Sequence, residues 1–260
     1  MDNPNNWPPS KDIIPLFISF HISHNASANK ILLSKENISY FKQHEPIGCR
    51  DKQTRDLLKS HGVEAYFSGC ATLTYRNQYK ERNNKILCVD PLFNIYPYSY
   101  GKNIYKKLIP ESLHNDIEYI EHKRYNINTS NKERFNDAEE LINRYARAKV
   151  VITSRIHAAL PCLALGTPVI FLDAGYTSKS QRNRFEGLTD KMFVVNDSHF
   201  PFSNYYNPMH ILARILQIYK LISRPKVIDI DWNNLPDNDT EETVKLANNI
   251  RERISRFIND

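Results

Sequence analysis

The amino-acid sequence predicts an α/β fold in which helices pack on a parallel sheet. Apolar runs of strand length alternate with segments of helical period along most of the chain, which is the pattern of strand–helix–strand units. The clearest such unit is the run KVVITS, RIHAALPCLALG, TPVIFLD. With 260 residues, 41% of them hydrophobic and 11% aromatic, the chain can build a substantial core in one large domain or two small ones.

The first third of the chain contains short strands and capped helices. Ile13 to Phe20 is mostly apolar, which predicts a buried strand. Ser34 to Gln43 has helical character, and its first residue is a suitable N-cap. Two further short strands are predicted at Ile47 to Arg50 and at Glu64 to Ser68, with a helix between them.

The remainder of the chain alternates strands and helices. Besides the central unit, its predicted elements are a strand at Lys85 to Pro91, a helix at Asn136 to Ala148, a strand at Lys191 to Val195, and helices at Met209 to Ile222 and Thr240 to Ile258. Phe93 to Asn131 is rich in Tyr, Asn and Lys and has no clear period. No element is therefore predicted in that stretch.

Composition and charge argue against nucleic-acid binding and membrane insertion. The formal net charge is +6 and the isoelectric point is about 9.0, but the 35 basic and 29 acidic residues are interspersed. None of the common nucleic-acid-binding signatures occurs. No run approaches the roughly 18 apolar residues that cross a bilayer, and the first residues do not resemble a signal peptide. We therefore expect a cytoplasmic protein with no nucleic-acid partner and no membrane span.

Neither a metal nor a cofactor is expected. Cys49, Cys70, Cys88 and Cys162 are far apart, without a C-x-x-C pair, which favours buried thiols over disulfides or a zinc site. The motifs G-x-x-x-x-G-K-[ST], G-x-G-x-x-G, G-x-S-x-G and H-E-x-x-H are absent, and the chain has only seven glycines. These absences argue against P-loop kinases, dinucleotide oxidoreductases, nucleophile-elbow esterases and zincins.

The strongest candidate site is the segment TSRIH, at a turn from a strand into a helix. Ligands of open α/β sheets bind outside the carboxyl ends of the strands. The helix N-terminus offers N–H groups and a positive dipole end, while Ser154 adds a hydroxyl, Arg155 a planar fork and His157 an imidazole. These groups suit a phosphate or carboxylate. They equally fit a structural role, with Ser154 as N-cap, Arg155 in an ion pair and His157 packed on the next strand.

A second arginine occupies an equivalent place. Arg50 ends the strand PIGC and Asp51 begins the next helix, so that two arginines at two strand ends could meet across a cleft. Alternatively, Asp51 caps the helix and Arg50 is its ion-pair partner. The sequence pattern leaves both interpretations open.

The other candidates carry weaker signals. Asp90 ends the strand KILCVD and could orient a base or bind a hydroxyl, although Asp before Pro is also a common turn residue. His21 follows the first apolar run, where a lone histidine is more often hydrogen-bonded structure than a catalyst. Lys179, Arg182 and Arg184 form a basic cluster that is either a clamp over an anion or a solvated loop.

Three segments together resemble the polysaccharide pyruvyl transferase family. They are EPIGCRDKQTRDLLKSHGVEAYFSGCATLT, ARAKVVITSRIHAALPCLALGTPVIFL and NRFEGL, and the resemblance runs from Ile13 to about Leu188, apart from the tyrosine-rich stretch. It implies a GT-B-like fold, with two Rossmann-like half-domains facing a cleft and a C-terminal helix that crosses back to the first half. The expected division is an acceptor-side half at 1–84, a donor-side half at 85–239 and that helix at 240–260.

The resemblance also implies a reaction. The family moves an enolpyruvyl unit from phosphoenolpyruvate onto a sugar, where it closes as a ketal on two hydroxyls. By motif, Arg155 and His157 stand at the family's R-x-H and Arg50 at its R-D, so the arginines would bind the donor and His157 would be the acid–base residue. The resemblance implies that Lys179 corresponds to the family's basic residue after the next strand, although Arg182 or Arg184 could take its place and the spacing does not decide among them.

Two other functions fit the same scaffold. A glycosyltransferase would bind a nucleotide sugar, with Arg155 and Lys179 on its diphosphate, and a degenerate member of the family would bind neither donor. The expected partners are therefore phosphoenolpyruvate or a nucleotide sugar as donor and a glycan as acceptor. The family usually has further strand–helix units before NWPPSKDIIPLFISFH, so the N-terminal half is expected to be incomplete. Its exposed sheet edge would favour a homo-oligomer.

Overall fold

The computed structural model of the chain contains two compact units. The residues that it describes are 7–23, 26–92, 106, 108–122, 128–173, 182, 184–196, 230–235 and 238–259. Unit 1 comprises Met1–Thr74, Lys179–Asp190 and Glu241–Asp260, and unit 2 comprises Tyr75–Ser178 and Lys191–Thr240. Each unit is therefore assembled from segments that are separate in sequence. The GT-B-like arrangement and the division at residues 84 and 239 stay predictions.

Unit 1 is built around a small parallel sheet, in which β1 (Ile47–Cys49) pairs with β2 (Ala65–Phe67). Its helical elements are α1 (Ala26–Leu32), α2 (Lys35–Gln43), α3 (Lys52–Ser60), a 3-10 helix at Ala71–Thr74 and residues 241–259 of the last helix. The core contains the fully buried side chains of Phe41, Ile47 and Leu58. Each of these side chains comes from a different element, so the core joins α2, β1 and α3.

Side-chain caps set the starts of α2 and α3. Ser34 Oγ accepts a hydrogen bond from the Asn37 N–H at 3.4 Å, and Asp51 Oδ1 accepts one from the Thr54 N–H at 2.8 Å. Each cap satisfies one of the N–H groups that a helix leaves unpaired at its start. The predicted N-cap at Ser34 and the capping role considered for Asp51 are both confirmed.

The predicted strand at Ile13 to Phe20 is wrong. Ile14 is 79% exposed, and the segment forms no regular strand. Its last part still runs parallel beside β1, where the Phe20 N–H donates to the Gly48 carbonyl at 2.9 Å. Ser19 takes a φ of 57°, a left-handed conformation that is incompatible with a continuous strand. The apolar run therefore contributes one bridge to the sheet and not a full strand.

Unit 2 contains a five-stranded sheet in which every described pair is parallel. Its strands are β3 (Ile86–Val89), β4 (Ile117–Ile120), β5 (Val150–Thr153), β6 (Val169–Asp173) and β7 (Phe193–Asn196). Their order in space is β4-β3-β5-β6-β7. This arrangement confirms the predicted α/β fold, and the order is that of an open, doubly wound sheet.

The helices of unit 2 include α4 (Asn131–Arg147), α5 (Ile156–Ala164), a short 3-10 helix at Glu111–Asp116 and the first residue of a last helix, α6 (Thr240–Asn259). Another 3-10 helix, Thr189–Lys191, has its first two residues in unit 1 and its last residue in unit 2. α4 begins before its predicted start because Ser130 and Glu133 form a capping box. The Ser130 hydroxyl accepts from the Glu133 N–H at 3.2 Å, and the Glu133 carboxylate accepts from the Ser130 N–H at 2.8 Å. The predicted helix at Met209 to Ile222 lies outside the described residues.

The unit 2 core surrounds the central strands. Every residue of β3 and β5 is buried, as expected for strands that are covered on both faces. β4 lies at an edge of the sheet, within the tyrosine-rich stretch for which the sequence predicts no element. Within the described ranges, every helix is too short or too polar to cross a membrane.

Candidate active site

The carboxyl ends of β3 and β5 form a topological switch point in the unit 2 sheet. From β3 the chain continues to β4 on one side and then to β5 on the other side. In open α/β sheets, ligands bind in the crevice at such a point. Val89 and Thr153 are partners in the register of the two strands. The residues that follow them, Asp90 and Ser154, therefore stand at the same edge.

Asp90 and Arg155 form an ion pair at this edge. The Arg155 Nε lies 2.9 Å from Asp90 Oδ2, and the side chain of Asp90 is 7% exposed whereas that of Arg155 is 35% exposed. Because the bond uses Nε, it fixes the plane of the guanidinium and orients its terminal nitrogens, the atoms that bind phosphate or carboxylate in pairs. The ion pair that was one interpretation of Arg155 is thus present, with Asp90 as the partner.

Hydroxyl groups fix the turn that follows β5. Thr153 Oγ1 donates to the Val89 carbonyl at 2.7 Å and accepts from the Arg155 N–H at 2.9 Å. Ser154 Oγ accepts from the Leu92 N–H at 2.8 Å. Ser154 therefore ties the turn after β3 to the turn after β5. Arg155, and not Ser154, takes the N-cap position of α5, so the interpretation of Ser154 as an ordinary N-cap is wrong.

The turn after β3 has a strained backbone. Asp90 has a φ of 38° and Leu92 a φ of 52°, both in the left-handed region. Aspartate enters this region more readily than most residues, but for leucine it is uncommon. Such conformations cost of order 1–3 kcal/mol, and they cluster at functional sites, where the surrounding structure holds them in place. The bond from the Leu92 N–H to Ser154 is one of the interactions that hold this turn.

His157 lies in the first turn of α5 and is exposed. The interpretation in which it packs against the next strand is therefore wrong. Its neighbours Ile156 and Ala158 are buried at 5% and 0% exposure, and they anchor the first turn to the core. The helix N-terminus adds first-turn N–H groups and the positive end of the helix dipole. One turn of chain thus carries an oriented guanidinium and an exposed imidazole.

His122 is a further residue of this edge that the sequence patterns do not reveal. It follows β4, and its N–H donates to Asp90 Oδ2 at 3.3 Å. Its Nδ1 lies 3.5 Å from the hydroxyl of the buried Tyr145. The signal for His122 is its place just after a strand that neighbours β3, and this signal is hidden because β4 lies in a stretch without a clear hydrophobic period.

Unit 1 holds a second set of predicted residues around Asp51. The fully buried Asp51 Oδ2 lies 2.7 Å from His21 Nδ1 and 3.9 Å from Arg50 Nε. Thr54 Oγ1 lies 3.4 Å from the same His21 nitrogen. A carboxylate on Nδ1 keeps the proton of a neutral imidazole on that nitrogen and fixes the orientation of the ring. Asp51 therefore caps α3 and orients His21 at the same time.

Positive charge is concentrated near Arg50. The Arg50 side chain is only 13% exposed, and burial lowers the pKa of its guanidinium while Asp51 acts in the opposite direction. Arg184, also in unit 1, lowers the pKa of Arg50 further. An arginine side chain stays charged in proteins despite such shifts. Asp51 offsets one of the two guanidinium charges, so one excess positive charge remains to attract an anion.

The predicted site residues fall into two groups. The group in unit 2 is Asp90, Ser154, Arg155 and His157, and the group in unit 1 is His21, Arg50, Asp51 and Arg184. Lys179 lies outside the described residues. The expectation that Arg50 and Arg155 bind the same anion stays a prediction.

Replacing Asp51 with alanine should lower the free energy of unfolding by about 1–2 kcal/mol through loss of the α3 N-cap, and by more because His21 and Arg50 also lose their carboxylate partner. Urea unfolding followed by circular dichroism measures this change. Asp51→Asn is the matched control, since asparagine keeps an oxygen for the Thr54 N–H and should lose less stability. Equal losses in the two variants would show that capping is not the source of the stabilisation.

Burial makes two of the cysteine thiols unreactive. All four are buried and free of disulfides, which confirms the prediction of buried thiols. Burial raises the pKa of Cys49 and that of Cys88 to about 12. The thiolate is the nucleophilic form, so these two thiols are inert near neutral pH. In the described part of the chain, no cluster of three His, Cys, Asp or Glu residues is placed to hold a metal ion.

Comparison with known protein families gives independent evidence. The family model described as polysaccharide pyruvyl transferase matches residues 14–176, which is well over half of the 260 residues. The matched range includes Arg50, Asp90, Arg155 and His157. No curated protein matches the chain significantly. On the strength of the family match, the chain belongs to the polysaccharide pyruvyl transferase family.

Proposed function

We propose that this protein transfers a pyruvyl group from phosphoenolpyruvate onto two hydroxyls of a glycan, where the group closes as a ketal. Membership of the family supports a transferase in general. The observation that carries the finer proposal is the Asp90–Arg155 ion pair beside the exposed His157, at the switch point of the unit 2 sheet. This edge offers an oriented guanidinium and a helix N-terminus, two of the groups that a small polyanionic donor requires.

Arg155 is proposed to bind the donor through its terminal nitrogens. Asp90 offsets the charge of Arg155, so the ion pair contributes orientation more than excess positive charge. The N-terminus of α5 adds a positive field at the same place. Phosphoenolpyruvate carries both a phosphate and a carboxylate, so further cations are needed, and we propose Arg50, Lys179 and Arg184 for that role.

His157 is proposed to transfer protons during the reaction. A proton adds to the methylene carbon of phosphoenolpyruvate, and a first sugar hydroxyl attacks the adjacent carbon and loses its proton. The bond from that carbon to the phosphate oxygen then breaks, and phosphate leaves with the electron pair. The second hydroxyl attacks the same carbon and closes the ketal. One hydroxyl proton ends on the new methyl group and the other on phosphate, so no oxidant or reductant is needed.

Thermal unfolding with added ligands tests this proposal. Phosphoenolpyruvate at about 100 times its dissociation constant should stabilise the native state by about 2.7 kcal/mol and raise the melting temperature by several degrees. Inorganic phosphate and pyruvate are the matched controls, because each offers only part of the donor, and each should give a smaller shift.

Nucleotides complete the experiment. UDP, GDP and CMP should leave the melting temperature unchanged. Stabilisation by one of them with indifference to phosphoenolpyruvate would replace the proposal with a nucleotide-sugar glycosyltransferase. A folded protein that responds to no donor would be a non-catalytic member of the family, and the proposal would be wrong.

A further inference from the structure

A cavity in unit 2 lies between α4 and the segment 75–79. Its volume is about 460 Å³, within the range of roughly 300–1,000 Å³ that is usual for ligand sites. Three aromatic side chains line it and are exposed to solvent: Tyr75 at 42%, Tyr79 at 38% and Phe135 at 78%. We call this cavity the aromatic groove. Single exposed apolar residues are ordinary, but three exposed rings around one groove indicate a binding surface.

Side-chain hydrogen bonds hold the segment 75–83 in place. Asn77 Nδ2 donates to the Leu165 carbonyl at 2.9 Å and to the Ala146 carbonyl at 3.3 Å. Arg82 donates to the Ala146 carbonyl at 3.1 Å and to Thr167 Oγ1 at 2.7 Å. These bonds satisfy carbonyl groups near the C-terminal ends of α4 and α5. Segment 75–83, which bears Tyr75 and Tyr79, is therefore fixed before any ligand arrives, which lowers the entropic cost of binding.

The polar lining of the groove carries amides and balanced charge. Gln78 and Asn143 offer amide donors and acceptors, while Arg76 and Glu139 contribute one charge of each sign. An adjoining cavity of about 580 Å³ shares Tyr79, Glu139 and Asn143 with the groove. Its basic lining residues Lys85, Arg144 and Arg147 are matched in number by the acidic residues Glu118, Glu139 and Glu140. A lining without net charge favours a neutral, hydroxyl-rich ligand over an anion.

We propose that the aromatic groove binds a neutral oligosaccharide segment of the glycan acceptor. Ring faces cover the apolar C–H faces of sugar rings, and the amide and charged side chains hydrogen-bond to the hydroxyls. A protein partner would require a more continuous apolar surface at the centre of the contact. The proposal rests on the glycan acceptor of the proposed function.

The aromatic groove is distinct from the candidate active site. It is lined by Ala146 and Leu165, near the C-terminal ends of α4 and α5. Arg155 and His157 lie at the other end of α5, a helix of nine residues and so about 13 Å long. The groove would thus hold a part of the glycan that does not react.

Affinity electrophoresis tests the proposal with the whole 260-residue chain. Native gels are cast with soluble starch, mixed-linkage β-glucan or galactomannan, which are neutral, or with alginate, which is acidic. The wild-type protein should be retarded by at least one neutral polysaccharide. Phe135→Ala should raise the dissociation constant about five- to tenfold, because one stacking ring is lost. Phe257→Ala is the matched control, since it removes a ring that is 39% exposed in unit 1, and it should change nothing.

Several results would overturn the proposal: no retardation in any neutral gel, retardation by alginate alone, or equal effects of the two phenylalanine substitutions.

Analytical ultracentrifugation tests whether the groove is instead a contact between two copies of the chain. If the wild type self-associates and Phe135→Ala abolishes the association without affecting glycan binding, the groove is a contact between two copies and the proposal is wrong. Stabilisation by phosphoenolpyruvate is measured separately on Phe135→Ala and should be unchanged, so failure of the groove is distinguishable from failure of the proposed function.

Discussion

Arg155→Ala is expected to lower phosphoenolpyruvate-dependent transfer by about 10²–10³-fold and to abolish the stabilisation by phosphoenolpyruvate. A preorganised, positively charged hydrogen-bonding group in an active site typically contributes this much to the rate. Arg155 is such a group, because its Nε lies 2.9 Å from Asp90 Oδ2. Phosphate release in the presence of glycan acceptor measures the transfer, and thermal unfolding measures donor binding. An unchanged thermal shift in Arg155→Ala would contradict a donor-binding role.

Two further variants separate binding from folding. Arg155→Lys keeps a positive charge but loses the planar fork, so it should retain part of the donor affinity. Arg155→Ala leaves Asp90 without its cationic partner and should lower stability even in the absence of donor. In Asp90→Asn/Arg155→Ala the buried charge is removed, so stability should recover while donor binding stays lost. Recovery of donor binding in this double variant would contradict the proposed role of Arg155.

His157→Ala is expected to lower the turnover number by about 10²–10⁴-fold, the usual contribution of a general acid–base residue. Stabilisation by phosphoenolpyruvate should persist, because the guanidinium of Arg155 and the helix N-terminus remain. Since His157 is exposed, the substitution should leave the melting temperature of the unliganded protein nearly unchanged. The measurements are phosphate release and thermal unfolding on the same preparations.

A matched histidine control strengthens this test. His61 is an exposed histidine at the C-cap of α3, and His61→Ala should leave turnover unchanged. His157→Gln keeps a side chain capable of hydrogen bonding but cannot transfer protons at neutral pH, so it should be as slow as His157→Ala. Full turnover in His157→Gln would show that the imidazole positions substrate and does not carry protons.

Local sequence signals predicted much of this fold. The strand, helix and strand around Arg155 could be predicted because the two strands are apolar and almost entirely buried, and seven of the nine residues of the helix between them are buried as well. The helix caps at Ser34 and Asp51 could be predicted because a cap depends on residues only three positions apart. Both kinds of feature depend on interactions between residues that are close in sequence.

The remaining features depend on distant parts of the chain. Asp90 and Arg155 are 65 positions apart in sequence, and His21 and Asp51 are 30 positions apart. No local sequence pattern therefore predicts either pair. β4 was missed because it is an edge strand of only four residues, and the exposed Tyr119 and the neighbouring Glu118 break any hydrophobic pattern in it. The apolar run that ends at Phe20 led to a wrong strand prediction, because the left-handed backbone conformation of Ser19 cannot be inferred from apolar composition.

The discontinuous make-up of unit 1 affects how it forms during protein synthesis. Residues 1–74 leave the ribosome before α6, which supplies the fully buried Ile250 and the Arg251 bond to the Thr74 carbonyl at 2.6 Å. At typical translation rates the intervening residues take about 10–30 s to synthesise. Throughout that interval the segment that ends at Thr74 lacks α6, so unit 1 can be completed only after α6 has been synthesised.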